Sequence, residues 1–284
     1  MLPAPPTPES SPAMRVAAVA LLGFVAQWAV LQPAAAQIQR VTITPQIEKL
    51  RPLTPEQTRW LEGVRAWSEA YTRGLPDYIC IQTTKRSAQP ARLDARPVRD
   101  EVRELLTFSG RQETYEVQNV NGKPVHMPRS ALQGNISTGE FGTLLDRLFA
   151  SESAAQFGYE RRTRFRGVEV DVFAYQVSSE HGYTLYSGYQ KYESAWQGLV
   201  YANHADGTVL RIRMECTGIP VNFPVHHIDI TLDYAPVKIG DREYILPSQF
   251  DLTQESSGGV TSNHAEFGSY RKFQTEASFT PTAQ

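Results

Sequence analysis

The sequence predicts an α+β fold that is mainly antiparallel β, a curved sheet or incomplete barrel with one or two helices packed on its concave face. Apolar and polar residues alternate along several segments, short glycine-containing turns join those segments, and two amphipathic segments have helical spacing. Strands joined by tight turns with no helix between them are typical of an antiparallel meander. A sheet with one apolar face must bury that face, and the two helices are the elements available to cover it.

The first helix is predicted from its start signals. Thr54 can act as the N-cap, Pro55 suits the first turn, and Gln57 completes a capping box with Thr54. Gly74 and the proline that follows it are typical of a helix end. The apolar residues that recur at helical spacing between these limits are Trp60, Leu61, Val64, Trp67 and Tyr71.

A second helix is predicted over residues 139–150. Its apolar positions are Phe141, Leu144, Leu145, Leu148 and Phe149. Both helices therefore present a wide apolar stripe, which needs a large apolar partner surface.

The remaining chain is predicted to be mostly strands. The predicted strands cover residues 78–85, 101–108, 112–120, 159–165, 168–177, 199–203, 209–216, 228–234, 244–252, 262–273 and 276–279. A proline- and arginine-rich loop is predicted between the first two, over residues 87–99. Within residues 209–216 and 228–234, alternation predicts a buried face with Ile212 and Leu232, and a solvated face with Arg211, Asp229 and Asp233.

The amino terminus predicts export. Arg15 precedes an apolar run over residues 16–31, and alanines at 34–36 form an A-x-A end, which is typical of a signal peptide removed after Ala36. The run is shorter than the ~20 residues that cross a bilayer, so no transmembrane segment is predicted in the mature chain. Translation from Met14 instead of Met1 would give a conventional signal peptide. We therefore predict a polar lead-in over residues 37–53, a single domain over residues 54–284, and a periplasmic or extracellular location.

Charge and cysteine content narrow the function further. The formal net charge is −2, whereas nucleic-acid binding needs a clear basic excess, so no nucleic-acid partner is predicted. The two cysteines, Cys80 and Cys216, can form a disulfide in an oxidising compartment or stay as two separate buried thiols. Neither has a neighbouring base in the sequence that would make it a catalytic thiol.

Motifs for catalysis, metal or cofactor binding are not found. The sequence contains no G-x-S-x-G elbow, no H-E-x-x-H and no P-loop, so we predict no enzyme activity, no metal and no cofactor. Two histidine–aspartate pairs have the spacing of metal ligands: His227 with Asp229 on a strand, and His204 with Asp206 at a turn. A metal site, however, needs three or four ligands. The alternating basic residues Arg162, Arg164 and Arg166 suit either an acidic partner or an ordinary solvated strand face; the solvated face is favoured.

Several short runs of the mature chain resemble an uncharacterised family of secreted acidobacterial proteins. These runs are residues 74–80 (GLPDYIC), 120–123 (VNGK), 139–142 (GEFG), 234–237 (YAPV), 244–247 (YILP) and 270–273 (YRKF). That resemblance implies no particular activity. More weakly, the helix-first order and the strand–turn–strand over residues 232–247 resemble the lipoprotein-carrier superfamily. That resemblance implies an open antiparallel half-barrel whose helices sit in its mouth around an acyl chain; fold alone does not give function.

The resulting hypothesis is a secreted or periplasmic, non-enzymatic protein that binds an apolar ligand or a lipidated partner in a half-barrel cavity. The residues expected to line the cavity are Trp60, Trp67, Tyr71, Phe141, Leu145 and Phe149. The alternative is a structural or regulatory interaction module of the cell envelope without a small ligand. The purely structural interpretation, which is favoured for most of these side chains, is that they fill the core and bind no ligand.

Overall fold

The computed structural model describes residues 47, 49–92, 94–132 and 143–273, with Thr143 described by its backbone alone. The predicted signal peptide (residues 1–36), most of the lead-in, the start of the predicted second helix with Phe141, and the predicted last strand (residues 276–279) lie outside these residues.

The first helix, α1, spans Pro55–Gly74 and confirms the prediction at both ends. The Thr54 side chain accepts a hydrogen bond from the Gln57 backbone N–H at 3.2 Å, and the Gln57 side chain accepts one from the Thr54 N–H at 2.9 Å. This reciprocal pair satisfies two backbone donors that a helix start leaves without partners. The second helix, α2, spans Thr143–Phe149 in the described residues.

In the part of the chain that the structure describes, twelve strands form one sheet. They are β1 Tyr78–Pro90, β2 Val98–Ser109, β3 Gln112–Val120, β4 Lys123–Met127, β5 Gln156–Phe165, β6 Val168–Val177, β7 Tyr183–Ser187, β8 Gln190–Asn203, β9 Val209–Thr217, β10 Val225–Ile239, β11 Arg242–Ser256 and β12 Gly259–Lys272. Every pairing is antiparallel. The fold is therefore the predicted one: mainly antiparallel β, open at its edges, with two helices.

The order of the strands differs from a simple meander in one respect. The sheet runs β4-β3-β2-β1-β12-β11-β10-β9-β8-β6-β5, with β7 pairing along the first part of β8. The first and last strands are therefore neighbours in the middle of the sheet, and the two edge strands, β4 and β5, follow each other in the sequence. β12 pairs with β1 and β11, and the predicted pairing of residues 262–273 with residues 276–279 lies outside the described residues.

The predicted loop over residues 87–99 is largely strand. β1 continues to Pro90 and β2 begins at Val98, because β12 and β2 flank β1 and supply backbone partners on both sides: Ser87 lies opposite both Ser262 and Arg99. These polar residues lack an alternating pattern of their own, so their extended conformation comes from the ladder and not from local sequence.

The inner face of the sheet, defined as the face toward α1 and α2, carries the main core. Leu61 and Val64 of α1 and Leu145 and Leu148 of α2 are buried in it. The largest side chains that are fully buried there include Trp196, Tyr78, Tyr175, Tyr234, Phe173, Ile212, Met214 and Leu232. The helices therefore cover the apolar face, as the alternation predicts.

The outer face is not the solvated face that the alternation predicts. Asp229 and Asp233 are each 1 % exposed and Glu215 is 5 % exposed. Over β6 and β8 the same face carries a small apolar cluster, Val170, Val172, Ala174, Leu199 and Tyr201, covered by Ile47 and Leu50 of the lead-in. The solvation prediction was wrong because alternation states which side a residue faces, and not what covers that side.

Candidate functional site

The predicted cavity residues lie at the boundary between the helices and the inner face. Leu145 is fully buried, whereas Trp60, Trp67, Tyr71 and Phe149 are partly buried and pack against the main core. Phe141 lies outside the described residues. We call the four partly buried aromatic residues the helix layer.

Ring contacts connect the helix layer to the sheet. Trp67 and Tyr71 stack at 4.9 Å between ring centroids, and Tyr71 meets Tyr234 of β10 edge-on at 6.0 Å. Phe149 of α2 stacks on Phe157 of β5 at 5.5 Å. Offset and edge-on contacts of this kind are the favoured aromatic geometries.

Two hydroxyl groups under α1 have no hydrogen-bond partner in the described structure. They are the Ser68 Oγ and the Tyr71 Oη atoms, both closed off from solvent. Burial, and secondarily the charge of Glu113, raises the pKa of Tyr71 well above its usual value, so the phenol keeps its proton. A buried donor without an acceptor costs about 1–3 kcal/mol, which a bound polar group would recover.

A cation also lies at this boundary. The Arg65 guanidinium is 4.9 Å from the centre of the Phe157 ring, and desolvation lowers the pKa of Arg65. Among the described residues, Arg65 has no carboxylate within ion-pair distance. Sequence analysis did not select Arg65, because a charged residue beside an apolar helix stripe normally points to solvent.

The amino-terminal end of α1 is held by a polar cluster around Asp171 of β6. The Asp171 carboxylate, 2 % exposed, accepts hydrogen bonds from the Tyr159 hydroxyl and the Arg162 Nε, both at 3.0 Å, and lies 2.6 Å from His204 Nδ1. Trp60 packs between these groups, 4.6 Å from the Arg162 guanidinium and edge-on to His204 at 5.2 Å. A cavity of about 290 Å³ adjoins them. The sequence signal that could have identified this cluster is the carboxylate of Asp171, which interrupts the mainly apolar strand 168–177.

This cluster bears on two alternatives that the sequence left open. His204 does not act with Asp206, whose side chain accepts from the Thr208 N–H at 2.9 Å. Arg162, Arg164 and Arg166 are all exposed, as the favoured solvated strand face predicts, and Arg162 also pairs with Asp171 and Arg166 with Asp233 at 2.8 Å.

His227 and Asp229 do not make a ligand pair either. His227 Nδ1 lies 3.5 Å from Glu215 Oε1, while Asp229 is buried. Within the described ranges, no three His, Cys, Asp or Glu side chains come together in a way that could hold a metal ion.

Cys80 and Cys216 are free, buried thiols, so the disulfide permitted by the sequence is not formed. Burial raises the pKa of each thiol to about 12. At neutral pH both therefore stay protonated, and their role is that of small apolar core residues.

Comparison with known proteins gives structural likeness only. No family model and no curated protein matches the chain. Among solved structures, an outer membrane lipoprotein-sorting protein domain from Vibrio parahaemolyticus is 14 % identical over 75 % of this chain and 92 % of its own, with a TM-score of 0.36. A LolA superfamily protein from Nitrosomonas europaea is 10 % identical over 75 % and 94 %, with a TM-score of 0.32.

A DUF1329 family protein from Desulfovibrio piger is 7 % identical over 76 % of this chain and 92 % of its own, with a TM-score of 0.38. The resemblance to secreted acidobacterial proteins stays a prediction. In the part of the chain that the structure describes, no helix is long and apolar enough to cross a membrane.

Proposed function

We propose that this protein is a non-enzymatic binding protein that holds an apolar chain, such as the acyl chain of a lipid or of a lipidated partner, between its helices and the inner face of the sheet. The observation that carries the proposal is the helix layer. Its aromatic side chains are half-buried over a floor of fully buried apolar residues, so an acyl chain could extend that contact without exposing polar backbone.

The polar groups at the same boundary support a ligand with one polar end. Arg65 is a half-buried cation with no carboxylate partner among the described residues, and it lies one helical turn from Ser68. A carboxylate or ester group bound here would pair with Arg65 or accept from the two hydroxyls of Ser68 and Tyr71. The ligand class is therefore an acyl chain with an oxygen-rich head.

Uptake of cis-parinaric acid, a fluorescent fatty acid, tests the proposal on delipidated protein. We expect saturable fluorescence enhancement by the wild type. Replacement Arg65→Gln should weaken binding of the acid by about tenfold or more, because a hydrogen bond to a charged group is worth about 1.5–3 kcal/mol. The methyl ester of the same acid should bind both proteins equally.

Arg73→Gln is the matched control, because Arg73 is an exposed arginine on the same helix. This variant should bind the acid like the wild type. Tyr189→Ala removes a fully exposed aromatic side chain and should also leave uptake unchanged. Absence of saturable uptake by properly folded, delipidated wild-type protein would overturn the proposal.

We also propose, as part of the same function, that the predicted signal peptide exports the protein to the periplasm or out of the cell. Mass measurement of the protein purified from its own host tests it, because removal of residues 1–36 leaves a mature chain that begins at Gln37. A mass that corresponds to a retained amino terminus would contradict export by cleavage.

A further inference from the structure

The outer face carries a large polar groove on the side of the sheet opposite the helix layer. Its volume is about 830 Å³, and residues from β9, β10, β11, β12, β1 and β2 line it. Grooves and clefts that bind small molecules typically have volumes of about 300–1,000 Å³. The groove is therefore large enough for an elongated ligand of several units.

One cross-strand row forms the floor of the groove. Strand register places its members side by side in the order Arg213, Thr231, Asp251, His264, Lys85 and Glu101. Since neighbouring strands lie about 4.8 Å apart, the row extends for about 24 Å. The next row on the same face brings the hydroxyl residues Thr253, Ser262 and Ser87 beside it.

The donors at the β9 end of this row lack acceptors. Arg213 Nε and Thr231 Oγ1 are both buried without a hydrogen-bond partner, and Thr231 is 7 % exposed. Arg213 makes no ion pair within the described residues. The nearest carboxylate in the row, Asp251, already accepts from the Gln249 amide at 2.8 Å and lies 2.6 Å from His264 Nδ1.

Five lysine or arginine residues and three carboxylate residues line the groove. Arg211 binds Asp233 at 2.5 Å, but Arg166 binds that carboxylate too, so two guanidinium groups share one negative charge. Lys85, further along the row, is exposed, and in the described ranges it has no ion-pair partner. The groove therefore combines two cations, Arg213 and Lys85, that make no ion pair within the described residues, buried donors without acceptors, and a row of hydroxyl groups.

We propose that the outer groove binds an acidic oligosaccharide, with one of its carboxylate or phosphate groups accepting hydrogen bonds from Arg213 and Thr231. An oxyanion at this place satisfies both orphaned donors and pairs with the Arg213 guanidinium. The hydroxyl row provides donors and acceptors for the sugar hydroxyls of the following units. This site is independent of the acyl-chain proposal, because it lies on the other face of the sheet.

Calorimetric titration with hexagalacturonate, a six-unit carboxylated sugar, tests the proposal on the full-length protein at low salt. We expect binding that weakens as salt is added, and at least tenfold weaker binding of the methyl-esterified sugar, which has no charge. Arg213→Gln should weaken hexagalacturonate binding at least tenfold, and Thr231→Val should weaken it several-fold. Thr231→Ser, which keeps the hydroxyl, should bind like the wild type.

Two further variants separate binding from folding and from general charge. Lys85→Gln changes an exposed side chain and should weaken binding several-fold without affecting the fold. Arg164→Gln removes the same charge from an exposed position outside the groove and should leave binding unchanged. The proposal is overturned if hexagalacturonate does not bind, if Arg164→Gln weakens binding as much as Arg213→Gln, or if inorganic polyphosphate binds as tightly as the sugar.

Discussion

Leu232 and Asp233 are consecutive residues of β10 that face opposite sides of the sheet, and both are almost completely buried. Leu232 is 0 % exposed within the inner core, and Asp233 is 1 % exposed on the outer face. The leucine is covered because the helices bury a continuous apolar face. The aspartate is covered because Arg166 and Arg211 close over it and bind both carboxylate oxygens.

The comparison shows that burial has two different physical origins in this sheet. On the inner face it follows from removal of apolar surface from water, and the cost of a change scales with the volume removed. On the outer face it follows from charge pairing, and a change costs free energy because a buried partner loses its neutralising charge. Substitutions at these two adjacent positions should therefore differ in size and in salt dependence.

Leu232→Ala should have the largest effect. We expect it to lower the free energy of unfolding by about 2–5 kcal/mol, since it removes buried methyl groups and leaves a cavity. Denaturant unfolding measures the change, and added salt should alter it little. Val221→Ala, at a side chain that is 94 % exposed, is the control and should change stability by less than about 0.5 kcal/mol. Equal losses for the two variants would contradict the inner-face assignment.

Asp233→Asn should have a smaller effect, about 1–3 kcal/mol, because the two arginines are partly exposed and water screens part of the lost pairing. The same unfolding experiment measures it. In a double-mutant cycle with Arg211→Gln, the two losses should be clearly non-additive. Additive losses would mean that the carboxylate is buried without depending on Arg211.

His264→Gln should have the smallest effect, and that effect should depend on pH. The hydrogen bond to Asp251 raises the pKa of His264 above 6.5, and Glu266 adds to the shift, whereas burial opposes it. Because the folded state favours the protonated imidazole, this contribution to stability is fully present below pH 6.5. It is lost as pH rises through the folded-state pKa.

Denaturant unfolding of wild type and His264→Gln at pH 5.5 and pH 8.5 tests this pH dependence of the stability difference. The variant should be less stable than the wild type at the lower pH, and the difference should shrink at the higher pH. His226→Gln, at an exposed histidine, is the matched control. A difference that grows with pH would contradict the pairing of His264 with Asp251.

Sequence signals from neighbouring residues were sufficient to predict the helices and strands whose limits depend on those same residues. Thr54, Pro55 and Gln57 predict the start of α1 because capping depends on residues three positions apart. The strands over residues 112–120 and 168–177 have the predicted bounds; a turn with glycine precedes each of them, and a second one follows residues 112–120. Tyr183–Ser187 was missed because it is a short strand that pairs only with the first part of β8.

Non-local contacts account for what could not be predicted. The carboxylate of Asp171 meets Tyr159, Arg162 and His204 only because β5, β6 and the turn after β8 come together under α1. Of the candidate site, the aromatic residues of α1 and α2 could be selected from helical spacing. Arg65, Arg213 and Thr231 could not, because their lack of partners is a property of the assembled sheet.

Alternation and capping, which act over a few residues, determined the class of fold, the first helix, and the side of the sheet that each strand residue faces. The position of β1 beside β12, the covering of the outer carboxylates and the groove between β9 and β2 arose only when distant strands paired. The physical reason is range: a repeating pattern records a preference of neighbouring residues, whereas burial and charge balance depend on whichever residues the folded chain brings alongside.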